Sequence, residues 1–143
     1  MRLKNYTQLE TEWLRQAIAV VKPSNVTKFD ISIKNSAWGN KGKAYWDGCS
    51  YHSNSDPLIT VGLCKTTKFP YRTVEGKGYL GITCYTMKEI ALLIIAHELR
   101  HMWQAKIKKG YRVWGSRGQF SERDADAYAL QMLRRYRRGE LTC

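Results

Sequence analysis

Two hydrophobic periods alternate along the chain. Between residues 7 and 21, Trp13, Leu14, Ala17, Ile18 and Val21 recur at helical spacing; Thr7 and Glu10 have the spacing of a capping box, and Pro23 ends the run. A helix is therefore predicted over 7–21. Period-two alternation follows. "KFDISIKN" sets Phe29, Ile31 and Ile33 against polar neighbours, and "PLITVGL" repeats the pattern with Ile59, Val61 and Leu63, so both are predicted strands. The Gly-, Asn- and Ser-rich "WGNKGKAYWDGCSYHSNSDP" between them suits turns around a short strand near Ala44 to Trp46. A third alternating run, "GYLGITCY", puts Leu80, Ile82 and Cys84 on one face and Tyr79, Thr83 and Tyr85 on the other.

Helical spacing returns at Thr86, which forms a second capping box with Glu89, and nothing breaks the helix before Gly110. From Ile90 to Ala96 this helix is apolar on every side, the mark of a helix buried all round. A last helix is expected from Ser121 to about Arg138, with Phe120 and Ala125 as a hydrophobic staple. The order implies one α+β domain over residues 1–143. A small antiparallel or mixed sheet of three to four strands packs against an N-terminal helix, the buried helix and a C-terminal helix. The longest apolar run, "IALLIIA", is too short to span a membrane. "MRLKNYTQLE" lacks the apolar stretch of a signal peptide. Cys49, Cys64, Cys84 and Cys143 form neither a Cys-x-x-Cys pair nor a disulfide scaffold, so reduced thiols and a cytoplasmic location are expected.

The net charge of +12 points to an acidic partner, such as nucleic acid or an anionic surface. Positive charge concentrates late in the chain, in Lys106, Lys108, Lys109, Arg112 and Arg117, and then in Arg134, Arg135, Arg137 and Arg138 around Tyr136. This basic C-terminal segment is the candidate contact for such a partner, beside the plainer expectation of a solvated face of the last helix and its tail.

The buried helix carries "AHELRHMWQ". His97 and His101 are four residues apart, about 40° around a helix, so both imidazoles face one point and can each give a nitrogen to one zinc ion. The competing expectation is a pair of core histidines with satisfied hydrogen bonds; two of the chain's three histidines in this pattern, just after an apolar run, favour the metal. Glu98, displaced around the helix, flanks the ion and suits a general base. A catalytic zinc needs a third protein ligand, and "SERDADAYALQML" offers one. Glu122 and Asp126 stack on one helical face with Ala125, Ala129, Leu133 and Tyr136, and the two alanines permit close approach to the buried helix. Glu122 is the expected ligand. Asp126 is suited to accept the outer N–H of a ligating histidine, whereas Asp124 projects about 200° from Glu122 and is a poorer candidate.

His97-Glu98-Leu99-Arg100-His101, followed by Glu122-Arg123-Asp124-Ala125-Asp126, resembles the gluzincin metallopeptidases, whose pattern is His-Glu-x-x-His and then Glu-x-x-x-Asp on a following helix. The resemblance covers residues 86 to about 138. It implies zinc on His97, His101 and Glu122, Glu98 as general base, Asp126 as the partner behind a ligand, and peptide-bond hydrolysis by a metal-activated water. The chain lacks the third histidine of metzincins, the Gly-Thr-x-Asp signal of aspzincins and the large substrate lobe of long gluzincins. Tyr111, Arg117, Tyr128 and His52 are candidates to stabilise the transition state. "GYLGITCY" is the candidate edge for an extended peptide substrate. The rival expectation is a basic nucleic-acid-binding protein with a structural or vestigial zinc site, or a protease acting on proteins held at nucleic acid.

Overall fold

In the computed structural model the described residues are 1–45, 57–107 and 119–141, with side chains described over 1–45, 57–105 and 122–141. The elements are β1 (Leu3–Asn5), α1 (Thr11–Val21), β2 (Asp30–Asn35), β3 (Lys41–Tyr45), β4 (Leu58–Leu63), β5 (Tyr71–Arg72), β6 (Glu75–Gly76), β7 (Tyr79–Leu80), β8 (Thr83–Cys84), α2 (Met87–Ile107) and α3 (Gln119–Arg137). The architecture is α+β. Four strands form one mixed sheet in the order β1-β2-β4-β3, in which β1–β2 and β2–β4 are parallel and β3–β4 antiparallel.

Alternation decides which face each strand buries. Ile31 and Ile33 of β2 stand in register with Ile59 and Val61 of β4, and all four are buried. α1 adds Trp13, Leu14, Ala17, Ile18 and Val21 to the same core cluster, to which α2 and α3 also contribute. α2 packs directly on β3 and β4, and α1 and α3 pack against α2. A fully buried Leu or Ile there stabilises the fold by roughly 1.5–3 kcal/mol.

α2 runs through the centre of that layer. Of its apolar run, Ile90, Ala91, Leu92, Leu93, Ile95 and Ala96 are buried, and only Ile94 is partly open. α3 lies against α2 through Ala125, Ala129 and Leu133, each with no exposed surface. Alanine at the two upper positions lets the backbones approach. The buried carboxylate of Glu89 ties the ends of the pair together by accepting from Arg137 Nε and Nη2 at 3.0 and 2.8 Å.

Three sequence expectations change. α1 begins at Thr11, not at Thr7, because Thr7 is engaged in a local turn. Its N–H and hydroxyl both donate to Asn5 Oδ1, and its Oγ1 accepts from Leu9 N, so Glu10 becomes the N-cap without a side-chain cap bond. The segment 78–85 is not one strand: Gly78 and Gly81 adopt positive φ of 94° and 69°, which splits it into β7, paired with β6, and β8, paired with β5. β1 carries too few apolar residues to announce itself and is held by the parallel register of Leu3 on Ile31. At α2 the expected capping pair is present in modified form: Glu89 N donates to Thr86 Oγ1, while Glu89 Oε1 accepts from Tyr85 N. No helix among the described residues is long and apolar enough to cross a membrane. Cys64 and Cys84 are free thiols, and Cys49 and Cys143 lie outside the described residues.

Candidate metal centre

α2 and α3 bring His97, His101 and Glu122 together, with one donor atom from each lying within 4.8 Å of the others. The two Nε2 atoms are 3.1 Å apart. Glu122 Oε1 lies 2.6 Å from His101 Nε2 and 3.7 Å from His97 Nε2. Donors bound tetrahedrally at about 2.0–2.1 Å from a zinc ion stand about 3.3 Å apart, so this triangle has the size of one face of such a site. All three residues are buried or nearly so, with side-chain exposures of 12, 5 and 12%.

What lies behind the histidines fixes which nitrogen points inward. His97 Nδ1 meets Asp126 Oδ1 at 2.7 Å, and a carboxylate oxygen can only accept, so Nδ1 holds a proton and Nε2 is the atom that presents a lone pair when the ring is neutral. Asp126 is fixed in turn by the Leu80 N–H, which donates to Oδ2 at 2.9 Å. The break at Gly81 that divides the predicted strand leaves this amide available to the site.

His101 is set by a longer relay. Arg100 donates through Nε and Nη2 to Asp124 at 2.7 and 3.1 Å, and Asp124 Oδ2 accepts from Gln104 Nε2 at 2.8 Å. Since that nitrogen must face the carboxylate, Gln104 Oε1 faces His101 Nδ1, at 2.9 Å, and takes its proton. Nε2 of His101 is thereby also a bare acceptor when the ring is neutral. Asp124 stands where its position on α3 predicts, away from the ligand triangle, but it governs His101 through Gln104.

Two inward lone pairs and a carboxylate create a deficit of positive charge. Burial opposes a charge on His97, yet the Asp126 and Glu122 carboxylates outweigh it and raise its pKa to about 10. Burial also acts to raise the carboxyl of Glu122, but the adjacent imidazoles of His101 and His97, with Tyr79, hold it far below the usual carboxylate range. A proton or a metal cation belongs between these groups. Glu98 stands beside them, with Oε2 4.0 Å from His97 Nε2, and its burial pushes its carboxyl upward despite both histidines.

A cavity of about 440 Å³ opens over the cluster. β3 forms one wall from Asn40 to Ala44, Tyr71, Thr73, Val74 and Tyr79 form the other, and Ile90, Leu93 and Ile94 lie beneath. The strand comes so close to α2 that a Cβ on Gly42 would lie 2.4 Å from Ile94 Cγ2 and 3.1 Å from Glu98 Oε2. Only glycine fits there. β3 is an edge of the four-stranded sheet at the centre, and Tyr79 of the 78–85 segment lines the cavity as well.

Of the four candidate stabilisers, His52, Tyr111 and Arg117 lie outside the described residues. Tyr128 is corrected: its hydroxyl donates to the Val21 carbonyl, at the end of α1, and it does not line the cavity. Six residues past Glu122 it sits about 240° around α3, on the side away from the histidines. Tyr79, which the sequence did not single out, lines the cavity. Its ring stacks on His97 at 6.3 Å between centroids and 15° between planes. Burial, and then its hydrogen bond to Glu122, raise its phenol above the ordinary value. Its place on the non-core face of an alternating run was the available signal for it; for Gln104, the signal was its position one turn beyond a candidate ligand. No protein-family profile, curated protein or solved structure matches the chain.

Proposed function

We propose that the protein is a zinc-dependent peptidase of the gluzincin kind, with His97, His101 and Glu122 as ligands and Glu98 as general base. The observation that supports it most is the pair of inward-facing Nε2 lone pairs. Asp126 and Gln104 accept from Nδ1 of the two rings, so each ring in its neutral form turns an unprotonated Nε2 toward the other and toward Glu122. Two imidazoles and one carboxylate are a zinc donor set; calcium and magnesium prefer oxygen alone. Three protein ligands under an open cavity suit a catalytic ion rather than a structural one, which closes its shell with four.

Bound zinc would supply Lewis acidity and lower the pKa of a coordinated water toward neutrality. This chain's residues do the rest. Glu98, a buried carboxylate with raised basicity, takes a proton from the attacking water and returns it to the departing amine. Tyr79, on the wall beside Glu122, can donate its hydroxyl to the oxygen on which charge develops, so its role is that of an oxyanion donor. An extended peptide lies between β3 and the Thr73–Tyr79 wall, its apolar side chains over Leu93 and Ile94. Glu98→Gln tests the assignment: it should keep zinc at the wild-type stoichiometry and lose about 10²- to 10⁴-fold in peptide hydrolysis. Undiminished hydrolysis by Glu98→Gln removes the general-base role.

A further inference from the structure

The sheet has a second face, which no helix covers among the described residues. Register shows what stands on it, because directly paired residues project to the same side. Lys4 pairs with Ser32, Ser32 with Thr60 and Thr60 with Lys43, which makes one row across all four strands. The next row is Lys34, Gly62 and Lys41. All four lysines are exposed, whereas Ile31, Ile33, Ala44, Ile59 and Val61, on the opposite face, fill the core. The acid of this face, Asp30, already accepts from the Arg2 N–H at 2.9 Å, and no carboxylate pairs with Lys4, Lys34 or Lys41 among the described residues. Trp38, in the turn from β2 to β3 beside the Lys34–Lys41 row, is 88% exposed.

Three of the four C-terminal arginines are less available than their sequence suggests. Arg137 pairs with Glu89, and Arg135 and Arg138 both pair with Glu140. Among the described residues, Lys4, Lys34 and Lys41 are a group of exposed cations on one face of the sheet with no carboxylate ion pair.

We infer that this face binds single-stranded nucleic acid. Rows two residues apart are about 6.6 Å apart, and four strands span about 14 Å, enough for three to four phosphates on the lysines. Trp38 supplies an aromatic plane for an unpaired base, which a duplex keeps stacked within itself. β3 joins the two sites: Lys41 and Lys43 project to the nucleic-acid face, while Gly42 lies against Glu98. The binding face is carried by the sheet register and stands whether or not zinc is bound behind it.

Fluorescence anisotropy with a labelled 12-nucleotide oligothymidylate, from 50 to 300 mM salt, tests this. Lys4 and Lys34 lie outside the cavity, so Lys4→Gln/Lys34→Gln removes two phosphate contacts without touching the metal centre. Each contact on a single strand contributes about 0.7 to the slope of log affinity against log salt. The double variant should bind about 25-fold more weakly at 0.1 M salt, with a slope shallower by about 1.4. Trp38→Ala should weaken binding at least about fivefold and leave the slope unchanged. Undiminished binding in both variants overturns the inference, as does a loss confined to Arg134→Gln/Arg138→Gln. Equal affinity for duplex DNA, polyglutamate or anionic vesicles overturns it too, by showing a surface indifferent to unpaired bases.

Discussion

Asp126→Asn separates a tautomer-setting carboxylate from a merely polar neighbour. Both its oxygens are acceptors in use: Oδ1 takes the His97 Nδ1 proton at 2.7 Å and Oδ2 takes the Leu80 N–H at 2.9 Å. Asparagine keeps the shape but has one acceptor atom and one donor. Whichever way the amide turns, its NH2 meets an N–H. If it meets His97, the ring is driven to hold its proton on Nε2, the atom needed for zinc. If it meets Leu80, a buried amide loses its partner at a cost of about 1–3 kcal/mol. Loss of such a partner behind a ligating histidine weakens metal binding by about 10- to 100-fold, equivalent to about 1.4–2.7 kcal/mol. Zinc affinity measured by competition with a chromophoric chelator at pH 7.5 should fall within that range, while Asp126→Glu, which keeps two acceptors, should recover part of it. Wild-type zinc affinity in Asp126→Asn would refute the assignment of the inward Nε2 lone pair.

Two further outcomes follow from packing and charge. Gly42→Ala should lower stability by about 1–3 kcal/mol in urea melts, because its Cβ would meet Ile94 Cγ2 at 2.4 Å, and it should also slow hydrolysis by displacing Glu98; a neutral substitution would show that β3 yields freely. Glu89 is held below its ordinary pKa, chiefly by Arg137, so the pair's contribution is complete above the unfolded glutamate value of about 4.3 and is lost as pH falls through the lower folded value. Glu89→Gln should therefore cost about 1–2 kcal/mol at pH 7, and the gap between the two melting curves should close below about pH 4. A gap independent of pH would mean that the carboxylate charge is not what Arg137 reads.

Features set by local periodicity were legible in the sequence. The i, i+4 spacings of His97 and His101 and of Glu122 and Asp126 fix which side chains share a helical face, and Ala125 and Ala129 signal the close contact that joins the two faces. Features that depend on how elements cross were not. Asp124 points away from Glu122 along α3, but the crossing of α2 brings Arg100 and Gln104 to it, and nothing in the helix period alone reveals that relay. Thr7 and Glu10 satisfy a capping-box spacing, yet Asn5 outcompetes the helix for Thr7. Gly42 reads as a turn residue in a glycine-rich stretch; its necessity comes from α2 lying against it. The arginine run reads as free charge because its partners are Glu89, far away in sequence, and Glu140 past the end of the helix.

The most direct measurement is zinc content and affinity of the purified protein beside Glu122→Ala, by elemental analysis and chelator competition, with folding of each checked by circular dichroism. Expected are one zinc per wild-type chain and a folded Glu122→Ala variant that holds it at least about 100-fold more weakly. Equal, tight binding by both proteins would exclude the α3 carboxylate as a ligand, and with it the three-donor centre on which the peptidase proposal stands.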